Sequence, residues 1–231
     1  MKKLLYILVC LTAVACNSNQ QSKAQTDSSK NTAVNPANAG AFDLARLSLN
    51  ENLTDLMAAQ SVKAGPKDTL DTSIWGFEVF RSSDAKVLRF EDTDLSGATG
   101  KNKNHVVFHD EEKTGQLAGY QLKLYNQVQT DALIGLLDKA GKLIFKQTKV
   151  AKGAIELDVN GDEVKAGKSE RKTFRVWENK GSGLSYFLTE NGSGQNLTTE
   201  LIALNPSTQF GKDWIAALQL DWYKNEKSEA L

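Results

Sequence analysis

GYQLKLY, residues 119–125, sets Tyr120, Leu122 and Leu124 on one side of the chain and Gln121 and Lys123 on the other. A period of two is the signature of an extended strand, whereas a helix of about 3.6 residues per turn would scatter the same pattern. The alternation recurs on both sides of this stretch. IWGFEVF at 74–80 puts Trp75, Phe77 and Val79 in one row, and KVLRFE and HVVFHD follow with Phe90, Val106 and Phe108. LIFKQ, AIELDV, KTFRVWE, GLSYFLTE and TTELIALN continue it toward the C-terminus. β-Branched and aromatic residues in such runs, bounded by Gly, Asn and Asp, are strand signals, and Asn160-Gly161 between two of them is a hairpin cue.

Two stretches break the period. SLNENLTDLMAAQSV, 48–62, has Leu53, Leu56, Met57 and Gln60 at three-and-four spacing, with Ser48 and Glu51 placed as a capping box, and Gly65-Pro66 beyond it. TDALIGLLDKA, 130–140, has Leu133, Ile134, Leu137 and Ala140 on one side, Thr130 or Asp131 as cap and Gly141 past its end. DWIAALQLDWYK at 213–224 fits both periods, and its alternation favours a strand. The expected fold is α+β: a mainly antiparallel β-sheet of about seven to ten strands with two helices packed on one face.

The first forty residues differ in kind. Lys2 and Lys3 precede a run from Leu4 to Ala15 without charge. As a helix it would reach roughly 18 Å, short of a hydrocarbon core about 30 Å thick, so it reads as the apolar region of a secretory signal. The chain's two cysteines, Cys10 and Cys16, both lie here, and only Cys16 follows small residues at the end of the apolar run. Ala13-Val14-Ala15-Cys16 resembles the lipobox of bacterial lipoproteins, with Ala13 where that family usually has Leu. The resemblance implies cleavage by signal peptidase II before Cys16, acylation of its sulfur, and a mature chain with no disulfide. Asn17 is not the aspartate that retains such proteins in the inner membrane, and the first acid after the cysteine is Asp27. The resemblance therefore implies an outer-membrane anchor with the domain facing the periplasm.

Residues 1–15 are thus read as signal peptide, 16–40 as lipidated Cys16 and disordered tether, and 41–231 as a single α+β domain. The tether is Asn, Ser, Gln, Ala, Lys and Thr with almost no bulky apolar side chain, too little to offset its ordering entropy. As a flexible coil it reaches on the order of 25–30 Å. The domain of about 190 residues is long enough for one core. After removal of the signal the charges are 26 basic and 28 acidic, which gives no attraction to nucleic acid or to an anionic surface.

The search for chemistry excludes more than it assigns. His105 and His109 have helical zinc-ligand spacing but sit in a strand pattern, where four residues separate them by about 13 Å and one metal needs donors about 2 Å away. DVNGDE at 158–163 places glycine fourth and glutamate sixth, against sixth and twelfth in a calcium loop. Asp110-Glu111-Glu112 reads as a solvated turn. GSGLS and NGSGQ lack the lysine and the strand-to-helix setting of a phosphate loop. Neither histidine accompanies a G-x-S-x-G elbow. Aromatic residues in strands are ordinary core, yet an exposed row of them binds sugars or peptides. Trp177, Tyr186 and Trp75 are the candidate ligand-binding residues, with Trp177 beside the loop ENKGSG foremost.

No catalytic residue, metal ligand or cofactor is assigned. The expected role is a non-catalytic binding or assembly-support domain, attached to the membrane by its N-terminal lipid and meeting a protein or glycan partner of the envelope. LSLNENLTDL followed by strands loosely resembles small outer-membrane assembly lipoproteins, without a diagnostic motif. The alternative is a periplasmic hydrolase acting on an envelope polymer, which a pocket holding two carboxylates would favour. In cells fed labelled palmitate, the wild-type chain should take up label and Cys16→Ser should not. Label retained in the variant would overturn the lipobox assignment.

Overall fold

Eight strands carry the fold, and their pairing divides them into two meanders. The computed structural model describes residues 42–63, 69–74, 77–151, 156–157, 163–165, 170–192 and 194–231. Cys16, the tether and Trp75 lie outside them. The strands are β1 (Thr69–Ile74), β2 (Phe77–Ser82), β3 (His105–Glu111), β4 (Leu117–Leu124), β5 (Lys142–Ala151), β6 (Glu170–Asn179), β7 (Leu184–Asn191) and β8 (Thr198–Leu204). Their order in the sheet is β1-β2-β3-β4-β8-β7-β6-β5, and every neighbouring pair is antiparallel. Each group of four consecutive strands forms a meander, and β4 and β8 join the two at the centre. The helix α2 (Gln127–Ala140) carries the chain from the centre to the far edge at β5. A mainly antiparallel sheet is what the alternating pattern predicts, but Ile74 pairs with Phe77, so IWGFEVF spans two strands where the pattern reads one, and Thr69–Ile74 is a strand it does not include.

The register stacks one row of large side chains across the sheet. Phe80, Phe108, Tyr120, Ala203, Tyr186 and Trp177 are successive cross-strand partners. They belong to a single buried cluster with Leu53 and Met57 of α1 (Leu53–Ala59) and with Leu133 and Leu137 of α2. Each such side chain contributes about 1.5–3 kcal/mol when fully buried. The long β2–β3 connection, with only two-residue ribbons at Arg89–Phe90 and Thr93–Asp94 and at Ala98–Thr99 and Asn102–Lys103, closes the same face through Val87, Leu88, Phe90 and Leu95. KVLRFE is therefore mostly loop, buried for its apolar content. The predicted hairpin after β5 is present as Glu156–Leu157 paired with Glu163–Lys165, and Asn160-Gly161 lie outside the described residues.

Both predicted helices lie on this face, with boundaries that local chemistry shifts. α1 starts at Leu53 because Asn52, not Ser48, is its cap, accepting from the Asp55 amide at 3.1 Å. Glu51 does reach back to the Ser48 amide and hydroxyl, both at 2.8 Å, but this closes a turn before the helix, where Leu49 has φ of 60°. α1 ends before Gly65-Pro66, at Ser61 (φ 53°), where the Ser61 amide donates to Ala58 and the Val62 amide to Met57. These are the two hydrogen bonds of a Schellman motif, made here without glycine. α2 begins three residues before the predicted cap: Asn126 accepts from the Gln129 amide at 2.8 Å, and Thr130 is inside the helix, its hydroxyl 2.8 Å from that of Thr199.

The C-terminal region departs from expectation. Residues 209–217 form a third helix, α3 (Gln209–Ala217), followed by a 3-10 turn at Trp222–Asn225. The other sheet face is itself apolar, with Phe145, Val176, Phe187 and Leu204, and Phe210 and Trp214 of α3 cover it together with Trp222 and Tyr223. Four-residue spacing puts Phe210 and Trp214 on one side of a helix, and that burial outweighs the strand alternation. Thr208 caps the helix by accepting from the Gly211 amide at 3.1 Å. At its end Gln219 (φ 51°) makes a second glycine-free Schellman turn. Gly119 of β4 lies beneath: a Cβ there would come within 3.0 Å of Phe210 and 3.1 Å of the Ala203 carbonyl. Beyond the 3-10 turn the chain lies along edge strand β5. The Glu229 amide donates to Lys146 and the Glu229 carboxylate accepts from the Thr148 amide, both at 2.7 Å, which blunts an open edge.

In urea unfolding, Gly119→Ala should lose about 1–3 kcal/mol because the added methyl overpacks the seat of α3. Gln219→Gly should gain about 1 kcal/mol by relieving a left-handed backbone at an exposed site. If Gly119→Ala leaves stability unchanged, α3 does not seat on β4 as described.

Candidate functional site

Near the β1–β2 end of the sheet a cavity of about 550 Å³ opens between α1 and strands β2 and β3. Leu53 and Met57 project into it from the inner side of α1, Val62 from the Schellman turn and Phe80 from β2. Polar groups are few: Thr54, Ser61, Lys63, Glu78 and Asp110. The site exists because α1 is only seven residues long and turns away at Ser61, leaving the ends of β2 and β3 partly uncovered.

Asp110 is the unexpected member. The sequence places it in a solvated turn, but β3 runs to Glu111, and Asp110 continues the inward phase of Val106 and Phe108. Its residue is only 7 % exposed. Its cross-strand partner is Glu78, and no Lys or Arg among the described residues forms an ion pair with it. Burial, reinforced by the like charge of Glu78, pushes the Asp110 carboxyl up to about 6. Glu111 behaves as an ordinary turn residue, its carboxylate accepting from the Thr114 hydroxyl at 2.6 Å, and Glu112 is exposed.

The cavity thus holds two carboxylates, the feature expected of the hydrolase alternative, but Glu78 and Asp110 are register partners on adjacent strands and stand on one wall. Two-carboxylate glycoside hydrolysis needs the groups to flank the scissile bond from opposite sides. Nor does either histidine furnish a base for a nucleophile. The His109 ring packs 4.4 Å from that of Trp214, nearly edge to face, and also against Phe210. Burial pushes its imidazole down to about 4, so it is neutral at physiological pH. His105 holds its Nδ1 3.0 Å from the Lys103 carbonyl oxygen. Both occupy the same strand, as the alternation predicts, and no hydrogen bond among the described residues joins either to a serine.

The aromatic candidates are placed elsewhere. Trp177 and Tyr186 are both 0 % exposed, in the row that packs against α2. The Trp177 indole donates to the Asp138 carboxylate at 2.8 Å, tying β6 to α2. Neither offers surface to a ligand, because the sheet phase turns both inward; they are corrected to core residues. Trp75 lies outside the described residues. The partly exposed aromatics among the described residues are Tyr125, Phe174, Trp222 and Tyr223; Phe174 and Trp222 line a smaller recess of about 330 Å³ on the α3 face with Phe187, Ile202, Leu218 and Leu220.

No protein-family model matches the chain, and no curated protein is significantly similar to it.

The two buried groups have opposite pH signatures. Asp110, with its folded pKa raised, favours the fold at low pH and loses that contribution as pH rises through about 6. Asp110→Asn should therefore raise the melting temperature at pH 8 and leave it unchanged at pH 3.5. His109, with its folded pKa lowered from 6.5 to about 4, favours the fold above pH 6.5 and loses about 3 kcal/mol as pH falls to 4. His109→Leu should flatten that loss. Equal shifts at both pH values for Asp110→Asn would show that its carboxyl is not buried as described.

Proposed function

We propose that this protein is a lipid-anchored, non-catalytic binding domain of a bacterial cell envelope, held through Cys16 and taking its ligand in the cavity beneath α1. The cavity carries this reading. Small-molecule sites are concave, about 300–1,000 Å³ in volume and mostly apolar, with a small number of polar groups that fix orientation. The space between α1 and β2–β3, with Leu53, Met57, Val62 and Phe80 as walls, has those properties. A binding role also agrees with two carboxylates that share one wall and histidines engaged in packing or in a backbone contact.

The anchor and the site fit together physically. A lipidated Cys16 followed by a tether reaching on the order of 25–30 Å would hold the domain near the periplasmic side of the outer membrane while leaving it free to meet an envelope partner. Among the described residues no helix is long and apolar enough to cross a membrane, so the lipid supplies the attachment in this reading.

Nile red, a neutral dye that brightens in apolar surroundings, tests the cavity. The folded chain should bind it saturably at one site. Ala58→Trp, which fills the cavity from an exposed helix position, should weaken binding at least tenfold without lowering the melting temperature. Dye binding unaffected by this variant would remove the cavity as the ligand site.

A further inference from the structure

The geometry points to an amine as the cavity's ligand: an alkylammonium whose charged head pairs with the Asp110 carboxylate and whose apolar body lies against Met57, Leu53 and Phe80. This rests on the binding role proposed above and specifies the chemistry of the same site.

Asp110 is more than nine-tenths buried and lines the cavity; its carboxylate accepts from its own backbone amide and meets no cation and no side-chain donor among the described residues. A buried carboxylate without a countercharge is costly, and such charges in folded proteins are usually paired with a cation. The other buried acid on this face of the sheet is treated differently. Asp43 accepts from the Ala45 amide at 2.9 Å and the Glu91 amide at 2.7 Å, and pairs with Arg46 at 3.1 Å.

The surroundings select the sign and shape of the missing partner. Glu78 stands beside Asp110 across the strand pair, doubling the negative charge that an incoming group would meet. Lys63 is the one cation among the described lining residues; it is exposed and ion-pairs with neither acid. An anion would face two carboxylates, the buried Asp110 and the exposed Glu78, and like charges repel. A small hydrated cation would leave the apolar walls wet. An ammonium head on a hydrocarbon body satisfies both parts of the site, and the raised protonation range of Asp110 agrees with an acid awaiting a cation.

Displacement of Nile red by three probes of equal chain length tests this: octylammonium, 1-octanol and octanoate. At pH 7 octylammonium should compete at least tenfold better than octanol, and octanoate should be weakest. In Asp110→Asn, octylammonium and octanol should become equal. Between pH 7 and pH 5 the octylammonium affinity of the wild type should fall about tenfold as the free carboxyl takes up a proton, while octanol is unaffected. Lys63→Met should leave octylammonium binding unchanged or tighter. If octanol displaces the dye as well as octylammonium does, the amine assignment fails and the binding role stands. If the dye itself does not bind, the binding role falls with it. N-acetyl-lysinamide, which carries the same head on a peptide backbone, should compete at least tenfold more weakly than octylammonium. Equal competition would assign the site to a lysine side chain of a partner protein instead.

Discussion

The pairing of β4 with β8 holds this molecule together. It runs from Thr199 opposite Leu124 to Leu204 opposite Gly119, and among the described residues it is the only ladder that joins the two four-stranded meanders. Every other described ladder of the sheet pairs strands that follow one another in it along the chain. The central pair must close a loop of about 80 residues before it is rewarded, so its strength has to come from what it places side by side. It brings Tyr120 next to Ala203 on one face and Gly119 next to Leu204 on the other. The first contact completes the row from Phe80 to Trp177, and the second leaves the shallow seat that Phe210 of α3 enters. With no disulfide among the described residues, burial on both sides of this pair is the main term available.

Covering two faces sets the rest of the architecture. α1, α2 and the long β2–β3 connection share one face, with Asp43 and Asn104 tying loops to it. Asn104 is buried, donates to the Leu95 carbonyl at 2.9 Å and accepts from the Tyr125 amide at 3.0 Å, so it fixes the loop end beside the start of α2. The other face is left to the C-terminal segment, α3 and the 3-10 turn. The helices divide the work unequally. α2 has fourteen residues and covers its strands fully, whereas α1 has seven and leaves a gap. That gap is the cavity, and Asp110 is the strand residue whose inward phase happens to fall there.

A carboxyl in that position has a cost that a purely structural account does not repay. Several polar groups turned inward are satisfied locally: Tyr120 donates to the Leu44 carbonyl at 3.1 Å, Trp177 to Asp138, and Thr130 meets Thr199. Asp110 differs in lining a cavity with no cation beside it among the described residues, which is why the cavity is read as a place for a ligand. His109, one residue earlier and on the opposite face, shows the other outcome of burying a titratable group: it gives up its charge and packs as an aromatic ring against Trp214.

By itself the sequence determined the parts whose signal is local. Alternation gave the strands, three-and-four spacing gave α1 and α2, and the apolar run ending at Cys16 gave the expectation of a lipid anchor; each depends on neighbours a few residues apart. It misplaced the ends of α1 because Asn52 and Ser61 do the work usually looked for in a Ser–Glu box and a glycine. It left 213–224 ambiguous because both periods fit, although Thr208 after Asn205-Pro206 was a legible helix start. What only the tertiary structure decided is which way each alternating row faces. Trp177 and Tyr186 point into the core and Asp110 into a cavity for one reason: a period of two fixes that neighbours lie on opposite faces, while the choice of face depends on which distant segment arrives to cover it.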